Sequence, residues 1–467
     1  DRIHNTLRLI IIMVKVVISG AGPAGLMVAQ HLIARPNYDV HVFEKRADIS
    51  TVPSNEDRTY PMALQASGLE AVEDVPGLKP CLEKYGKYMN IIQFYQNNKA
   101  RKIEKEVSNF YIERSALTRG MLEHLRLMDG NPMDGATDAN SAEFLGRDPT
   151  SSLNLHFECG IADIFLNNQT ILTDHGSFES FDHVVAADGA RSMVRTQLAQ
   201  DAEETGLEVE MERVVDSYKS LSFQNQLQKD VNSDDEDDIV GLEPDRMHGW
   251  FVDGQDQVLL VPVRDEIASG VYIFPNGKDP FEKMIDAEEV MKYFESVSPK
   301  LGNLISEEEA HRILMMPVSG SWTVRCNKLT VGDGKVVLIG DAAHAISASL
   351  GLGCNSALQD AQVLNQLLRK HDDDWHAALT EYEATRLVDV HAVADMSDYA
   401  RSTSPLLRTE MMARMILRKA LPDALSNRMR PLPFDLTNKR GLSYSEMHEQ
   451  TRWWTSRVER HRRRTST

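Results

Sequence analysis

Cysteine is scarce in this chain of 467 residues, which contains only four. The four are widely separated, and their spacing fits neither a disulfide framework nor a zinc site. They are Cys81, Cys159, Cys326 and Cys354. Their scarcity and separation favour a reducing compartment, and we predict a cytoplasmic protein.

Long apolar runs are also absent, since no stretch of 18 consecutive apolar residues occurs. No segment is therefore predicted to cross a membrane. An apolar stretch over residues 7–18 is interrupted by Arg8 and Lys15 and merges with the first predicted strand. Cleavage of a signal peptide there would destroy that strand, so we expect none. Residues 1–12 are expected to be an extension upstream of the fold.

An excess of basic residues is missing as well. Lysine and arginine number 51 against 70 aspartates and glutamates, which gives a formal net charge of -19. A nucleic-acid-binding surface needs a basic face, so we expect no nucleic-acid partner. The length and the 42% of hydrophobic residues predict a globular protein of two or three domains.

The most informative stretch is the first predicted strand–turn–helix. Residues 14–18 are a β-branched apolar run typical of a buried strand, and residues 20–25 read Gly-Ala-Gly-Pro-Ala-Gly before a helical pattern. A second buried strand over residues 40–43 ends on Glu44. This order of strand, glycine turn, helix, strand and acid predicts a dinucleotide site.

Each residue of that turn has a predicted task. Gly20 permits the tight turn, Gly22 lets the backbone approach a pyrophosphate, and Gly25 lets the helix pack on the strand. The helix N-terminus offers N–H groups to phosphates, and Glu44 can accept hydrogen bonds from a ribose diol. We assign the cofactor-binding residues of this unit as Gly20, Gly22, Ala24, Gly25 and Glu44, together with the adjoining Lys45 and Arg46.

A second strand–glycine–helix unit follows some 300 residues later. Residues 336–339 form a buried strand that leads directly into Gly340 and Asp341. A helix is then predicted to begin near Gly351, Gly353 and Asn355. Asp341 can hold a polyol chain, and the helix N-terminus can face a developing anion. These are needs of a flavin, so the second unit favours FAD over NAD alone. We expect His344 to be a capping or packing residue.

The intervening chain predicts mostly strands. Residues 89–95 and 100–107 are expected to form a hairpin, and a helix over 115–127 is expected to be capped by Ser115. Further predictions are a surface excursion over 129–152, a meander of strands at 153–157, 163–166 and 170–173, and a buried strand over 181–187 ending in Asp188. A mobile acidic loop is predicted at 234–238, followed by a second sheet at 247–251, 258–263 and 270–274.

Together, Gly20 to Glu44, Asp188-Gly189 with Arg195, and Gly340-Asp341 resemble the class A flavoprotein monooxygenases. Within these, residues 14 to about 455 are most similar to the kynurenine 3-monooxygenase family. The supporting tracts are Arg58 to Leu64, Tyr218 to Leu221, Met247 to Trp250, Gly340 to Ile346 and His391 to Met396.

The resemblance implies an α/β fold with a Rossmann-like, GR2-type FAD-binding domain, a β-sheet substrate domain and a helical C-terminal region. We predict a discontinuous FAD-binding domain over 13–75, 109–195 and 315–370, a substrate domain over 76–108 and 196–314, and helices over 371–467. The implied reaction is hydroxylation of a small aromatic substrate with O2 and NAD(P)H through a flavin hydroperoxide. FAD would be bound tightly but non-covalently, and NADPH transiently, with no separate NADPH domain.

The resemblance also implies roles for individual residues. Arg114 and Asp188 join the cofactor-binding set, which continues with Gly340, Asp341, Gly351, Gly353 and Asn355. Asn355 and Tyr399 are the candidate catalytic residues. The substrate is expected under the second sheet, near Tyr95, Trp250, Tyr272 and Tyr399, although each of these could equally be core.

Several departures from the family pattern bear on the substrate. Ser67 and Gln359 occupy positions where kynurenine hydroxylases carry charge, and the proline and aromatic pair of the ring-side loop are Ala348, Ser349 and Leu350. We therefore expect poor discrimination for a kynurenine tail, unless another arginine such as Arg101 substitutes. A flavin reductase or oxidase, or a flavin-bound regulatory protein without hydroxylase activity, stays an alternative.

Related eukaryotic hydroxylases end in a membrane helix, which makes association with the mitochondrial outer membrane an alternative localisation. The basic end of this chain is expected to be a solvated helix end. We expect a monomer or homodimer.

Overall fold

The computed structural model describes residues 13–52, 59–96, 99–130, 146–225, 228–229, 239–252, 256–264, 266–402, 404–426 and 428–465. The predicted acidic loop at 234–238, the hairpin tip at 97–98, Arg58 and residues 1–12 lie outside these ranges. No helix of the described part is both long and apolar enough to cross a membrane.

The N-terminal half alternates strands and helices before it becomes strand-rich. The first elements are β1 (Val14–Ser19), α1 (Pro23–Ile33), β2 (Tyr38–Glu44), β3 (Pro61–Leu64), α2 (Ala66–Glu73), α3 (Leu78–Glu83), β4 (Gly86–Gln96), β5 (Lys99–Glu113) and α4 (Arg114–Met128). Next come β6 (Ser152–Phe157), β7 (Ile161–Phe165), β8 (Thr170–Thr173), β9 (Phe178–Ser180), β10 (His183–Ala186), α5 (Met193–Gln200) and α6 (Ala202–Thr205).

The middle of the chain supplies a second sheet and three covering helices. These elements are β11 (Val209–Gln224), β12 (Gln228–Lys229), β13 (Ile239–Val240), β14 (Arg246–Val252), β15 (Asp256–Arg264), β16 (Ile267–Pro275), α7 (Ala287–Val297), α8 (Pro299–Gly302) and α9 (Glu307–Met315).

The remaining chain returns to the first sheet and ends in helices. It contains β17 (Ser319–Cys326), β18 (Thr330–Val331), β19 (Val336–Leu338), α10 (Asp341–His344), α11 (Gly353–Lys370), α12 (Trp375–Tyr399), α13 (Pro405–Ala420), α14 (Asp423–Ser426), α15 (Pro433–Leu436) and α16 (Tyr444–Thr465).

A six-stranded sheet carries both predicted nucleotide units. Its order is β18-β19-β10-β1-β2-β6, and all pairs are parallel except β18 with β19. The carboxyl ends of β1 and β19 therefore open onto the same edge, where α1 and α10 begin. That edge is where ligands bind in open α/β sheets.

An eight-stranded sheet has the order β17-β11-β16-β15-β14-β4-β5-β3. One face packs against α7, α8 and α9 in a cluster that contains Trp250, Tyr272 and Phe294. We call this face the outer face. Side chains of opposite parity, including Tyr218, Gln257 and Ser269, point the other way, onto what we call the inner face.

Three predictions about these elements differ from the structure. β6, predicted as the first strand of the meander, pairs instead with β2 in the six-stranded sheet, and the third strand of the meander is β9, which was not predicted. Ser115 does not cap α4, because that helix begins at Arg114 and the Ser115 hydroxyl bonds Thr59 instead. β3 and β17, which we had assigned to the nucleotide-binding domain, lie at the two edges of the eight-stranded sheet.

Candidate active site

The first glycine turn is shaped by close backbone approaches. Gly20 has φ +99°, and a Cβ there would lie 2.6 Å from the carbonyl oxygen of Ala187. A Cβ on Gly25 would lie 2.1 Å from the carbonyl oxygen of Gly20, whereas one on Gly22 would meet nothing within 4 Å. The turn is therefore closed toward the protein and open at Gly22, as an approaching phosphate requires.

Glu44 is fixed at the end of β2 by the turn itself. Its carboxylate accepts N–H hydrogen bonds from Ala21 and Arg46, both at 3.0 Å. Each oxygen keeps a further lone pair, so the group can still accept bonds from a diol. Lys45 and Arg46 are exposed beside it.

Gly340, in the second nucleotide turn, is packed between helices α1 and α11. Its φ is +55°, and a Cβ there would lie 3.1 Å from that of Ala357 on α11 and 3.3 Å from that of Ala24 on α1. Asp341 follows and is accessible to solvent. Burial raises the pKa of its carboxyl, while the charges of His344 and Arg114 oppose that shift. An accessible group in surroundings that nevertheless desolvate it lines an internal cleft.

Tyr60, Arg114 and Cys354 lie close enough to Asp341 for their charges to interact with it, and Tyr218 packs against Tyr60. The Tyr60 and Tyr218 rings make an edge contact at 5.9 Å. The charge of Arg114 lowers the pKa of both phenols, although burial raises each of them more. Burial likewise raises the pKa of Cys354 to about 12, so its thiol stays protonated at neutral pH. Sequence reasoning missed Tyr60 and Tyr218, although both lie inside tracts that carry the family resemblance.

Asp188 is engaged within the fold through Oδ2, whereas its buried Oδ1 has no hydrogen-bond partner among the described residues. Its Oδ2 accepts the N–H groups of Met193 at 2.8 Å and Val194 at 3.3 Å, so the side chain caps α5. Arg195 is almost fully buried and donates to the carbonyls of Ala190 and Ala342 at 2.7 and 2.8 Å. The cofactor contact of Asp188 stays a prediction, and Arg195 joins the turn after β10 to the second nucleotide turn.

Asn355 is completely buried and its side chain is already saturated. Its Oδ1 accepts the Gln65 N–H at 2.7 Å, and its Nδ2 donates to the carbonyls of Ala63 and Gly351 at 3.0 and 2.9 Å. The predicted catalytic role of this side chain is therefore wrong. It positions the loop before α11, and only the backbone N–H groups of the first turn remain to face a ligand.

His344 belongs to a buried network that joins α10, α11 and α12. Its Nε2 lies 2.5 Å from Asp360 Oδ2, which also accepts the Gly340 N–H at 2.7 Å. The guanidinium of Arg386 donates to Asp360 Oδ1 at 2.5 Å. The charges of His344 and Arg386 hold the pKa of Asp360 below its usual range, although burial alone would raise it. His344 is a packing residue, as we expected.

Tyr399 is also displaced from its predicted place. It packs with Leu407, Leu432 and Trp454, in a cluster formed by the C-terminal helices. The reason is helical periodicity: Tyr399 lies on the side of α12 that faces α13 and α16.

The aromatic residues predicted to surround the substrate lie on the outer face. Trp250 and Tyr272 are 2% and 0% exposed, and the Tyr272 hydroxyl meets that of Tyr293 at 2.5 Å. Tyr95 stacks on Trp250 with ring centroids 4.6 Å apart. These residues are core because α7–α9 cover that face, so the prediction was wrong about them.

A groove of about 510 Å³ opens on the same outer side, lined by Lys219, Met284 and Met316 among others. The Lys219 ammonium is already engaged by Asp279 at 3.1 Å and by the Ile313 carbonyl at 2.9 Å. The groove is lined by residues remote in the fold from both nucleotide turns, so it does not form part of this site.

Ser67 and Gln359 have structural partners. The Ser67 hydroxyl is hydrogen-bonded to that of Tyr444 at 2.7 Å, and Gln359 accepts a bond from Arg386 at 3.0 Å. Arg101, the substitute that we considered, is exposed opposite Phe94 on the hairpin.

The two turns fit a long dinucleotide. The open backbone at Gly22, the accessible carboxylates of Glu44 and Asp341, and the start of α11 all lie at one edge of one sheet. In the described residues no group of three or more histidine, cysteine, aspartate or glutamate side chains could hold a metal ion.

Comparison with known families supports this fit. Residues 179–397 match the model of an FAD binding domain, and residues 18–83 match an NAD(P)-binding Rossmann-like domain. Among curated proteins, the chain is 26% identical over 396 residues to kynurenine 3-monooxygenase of Legionella pneumophila, covering 82% of this chain and 79% of that protein. It is 24% identical over 452 residues to the kynurenine 3-monooxygenase of Saccharomyces cerevisiae, covering 93% and 92%.

The chain is an FAD-dependent monooxygenase. This monooxygenase has the fold of 2-methyl-3-hydroxypyridine-5-carboxylic acid oxygenase, with a TM-score of 0.61 at 20% identity over 83% of this chain and 91% of the other. It is also similar to PqsL of Pseudomonas aeruginosa, with a TM-score of 0.57 at 18% identity over 83% and 95%. The monooxygenase is a flavin-dependent aromatic hydroxylase that uses FAD and NAD(P)H, as the sequence predicted.

Proposed function

We propose that this monooxygenase uses NADPH and O2 to hydroxylate a small, electron-rich aromatic substrate held between the inner face and the loop before α11. The observation that carries the proposal is the cleft in which Asp341, Tyr60 and Tyr218 converge. It joins the second nucleotide turn to the inner face.

The residues that would hold FAD divide between the two turns. Glu44 would accept hydrogen bonds from the adenosine ribose, with Lys45 and Arg46 beside the adenine. The open backbone at Gly22 and the N-terminus of α1 would receive the pyrophosphate. In the second turn, Asp341 would hold the polyol chain, and the N–H groups at Gly353 would face the pyrimidine edge of the ring.

Bound FAD supplies the redox chemistry, by accepting a hydride from NADPH and activating O2 for transfer of one oxygen atom. The protein orients the cofactor and the substrate and keeps water out of the site. Arg114 sets the electrostatic potential around Asp341 and Tyr60. The Asn355 side chain fixes Gly351 and Gln65, so the loop before α11 keeps one shape. Asp188 caps α5, and Arg195 holds the turn after β10 against the second nucleotide turn.

We further propose that the substrate tail differs from that of kynurenine or is smaller. The support is that Ser67 and Gln359, which replace charged residues of the kynurenine hydroxylases, are engaged with Tyr444 and Arg386. A tail that depends on charge at those positions would lose a charged hydrogen bond, which is worth about 1.5–3 kcal/mol.

The deciding experiment is a screen of aromatic compounds for stimulated NADPH oxidation, followed by product analysis under ¹⁸O2. L-Kynurenine is compared with a panel of hydroxylated and aminated benzoates. We expect one of the benzoates to give a product carrying a single ¹⁸O atom. NADPH oxidation that no compound stimulates would instead favour a reductase, an oxidase or a regulatory flavoprotein. Tightly coupled hydroxylation of kynurenine at micromolar concentration would refute the proposal about the tail.

The FAD assignment has its own test. Glu44→Ala should weaken FAD retention by about 1–3 kcal/mol, because polar groups of the bound ribose and the turn lose their acceptor. Fluorescence of released FAD during dialysis measures the effect. Glu83→Ala, on α3, is the matched control and should leave retention unchanged. A wild-type protein that is colourless and cannot be reconstituted with FAD would overturn the assignment.

Two coarser proposals complete the function. We propose that residues 13–75, 109–195 and 315–370 act as the FAD-binding domain apart from the edge strands β3 and β17, that 76–108 and 196–314 act as the substrate domain, and that 371–467 act as a separate helical C-terminal region. We also propose a cytoplasmic monomer or homodimer, which size-exclusion chromatography and fractionation of cells would test.

A further inference from the structure

The inner face carries a row of side chains that leads away from the nucleotide turns. The strand register aligns Tyr218 with Ile273, Ile273 with Gln257, and Gln257 with Phe251. Tyr218 contacts Tyr60 at the cofactor end of this row. Since adjacent strands are about 4.8 Å apart, Gln257 lies about 10 Å from Tyr218 across the sheet. That distance matches the length of a small substituted aromatic molecule.

A cation lies over the far end of this row. The Arg401 Nη1 atom is 3.5 Å from Gln257 Oε1, and its guanidinium lies 5.7 Å from the ring centre of Phe434. Ala400, the preceding residue, packs in a cluster with Leu350 and Leu352 of the loop before α11. Arg401 therefore bridges the loop on the cofactor side and the inner face of the sheet.

The environment of Arg401 resembles that of Asp341. Its side chain is accessible to solvent and lies between Gln257 on the inner face and the ring of Phe434, and burial lowers the pKa of its guanidinium. Among the described residues no carboxylate forms an ion pair with it. The charge of Asp216 opposes the lowering of the Arg401 pKa, and burial raises the pKa of the Asp216 carboxyl. The cation thus faces the cleft with its charge largely uncompensated.

We propose that Arg401 is the specificity-determining residue of the cleft and binds a carboxylate of the aromatic substrate. This inference rests on the proposed function and names the substrate class, an aromatic acid whose ring lies toward Tyr60 and Tyr218. The planar guanidinium can bind a carboxylate through two parallel hydrogen bonds, which a neutral amide cannot reproduce. Arg401 supplies the cationic partner, in place of Arg101 or of a charged residue at the position that Ser67 occupies.

The test compares matched acids and amides on FAD-loaded protein. The probes are 4-hydroxybenzoate with 4-hydroxybenzamide and 2-aminobenzoate with 2-aminobenzamide, titrated against the flavin absorbance without NADPH. In Arg401→Gln we expect the Kd of the acids to rise about 10- to 100-fold and that of the amides to change less than twofold. Arg401→Lys should recover part of the affinity. Arg408→Gln, an exposed arginine on α13, is the control and should bind all four probes like wild type.

Two results would overturn the inference. One is an unchanged Kd for acids that wild type binds, and the other is an equal loss for acids and amides in a variant with normal FAD content and melting temperature. Wild type that binds none of the four probes would also count against it. Failure of hydroxylation is a separate matter, because the titration needs no turnover. Acid-selective binding without any stimulated NADPH oxidation would refute the proposed function and leave the role of Arg401 standing.

Discussion

The two faces of the eight-stranded sheet are built from alternate residues of the same strands but serve different ends. The outer face is closed by α7–α9 over Trp250, Tyr272 and Phe294, which are at most 2% exposed. The inner face keeps Tyr218, Gln257 and Ile273 partly accessible, beneath Arg401. The comparison teaches that the aromatic-rich face of this sheet is its core, whereas the face with partly exposed polar groups borders the cleft.

The largest effect on stability is expected when a buried aromatic side chain of the outer face is truncated. Tyr272→Ala should lower the free energy of unfolding by about 3–5 kcal/mol, because it opens a cavity among Phe281, Tyr293 and Phe294. Urea unfolding of FAD-loaded protein measures the loss. Tyr272→Phe, which removes only the hydroxyl, should lose about 1 kcal/mol. The comparison breaks if Tyr272→Ala keeps its stability and instead loses affinity for aromatic ligands.

The second largest effect is expected from acid, which should lower the free energy of unfolding through a histidine of the outer face. Burial lowers the pKa of His248 from its ordinary 6.5 to about 4, so the folded protein keeps this ring neutral. The unfolded chain then binds more protons between pH 6.5 and 4, and stability is lost as the pH falls through that window. At pH 5 the loss should be roughly 2 kcal/mol.

The measurement is the free energy of unfolding at pH 7 and at pH 5. His248→Gln should reduce the difference between the two values, while His376→Gln, at an exposed position, should leave it as in wild type. His31 and His124 also have lowered pKa values and contribute in the same direction, so the comparison is between variants. Equal pH dependence in His248→Gln and wild type would contradict the prediction.

The smallest effect on stability is expected at the inner face. Tyr218→Leu should change the free energy of unfolding by less than about 1 kcal/mol, because the residue is only half-buried. It should nevertheless raise the Kd of aromatic ligands about 2- to 10-fold, since an aromatic contact is worth about 0.5–1.5 kcal/mol. Flavin absorbance titration gives the Kd, and Phe178→Leu on β9 is the control. If Tyr218→Leu lost much stability without a change in ligand binding, the inner face would be core like the outer face, and the contrast between them would be wrong.

The nucleotide-binding half was predictable from the sequence because its constraints are local. A tight turn at Gly20 and close packing at Gly25 are each required by a few neighbouring atoms, and glycine is the residue that satisfies both. The carboxylate of Glu44 is fixed just as locally, by N–H groups of the turn and of β2's end. The same holds for Gly340 between Ala24 and Ala357, once its turn is recognised.

The substrate half was less predictable, because period-two alternation identifies two faces without saying which one the helices cover. Trp250 and Tyr272 were expected near the substrate for their chemistry, yet α7–α9 pack against them. Asn355 was misjudged for a similar reason: its position at a helix start was local, whereas its partners Ala63 and Gln65 are about 290 residues away. Arg401 carries no motif at all, and only the folded chain brings it to Gln257.

The two edge strands of the large sheet have a consequence for folding. β17 borders β11 and the β4–β5–β3 hairpin group borders β14, so segments from outside residues 196–314 complete the sheet on both sides. A fragment comprising 196–314 alone would present two open rows of backbone donors and acceptors, which invite pairing with other chains. The eight-stranded sheet is thus completed only when distant parts of the chain pair with residues 196–314. We therefore expect the loss of the edge strands and the loss of the cleft to occur in one cooperative unfolding step.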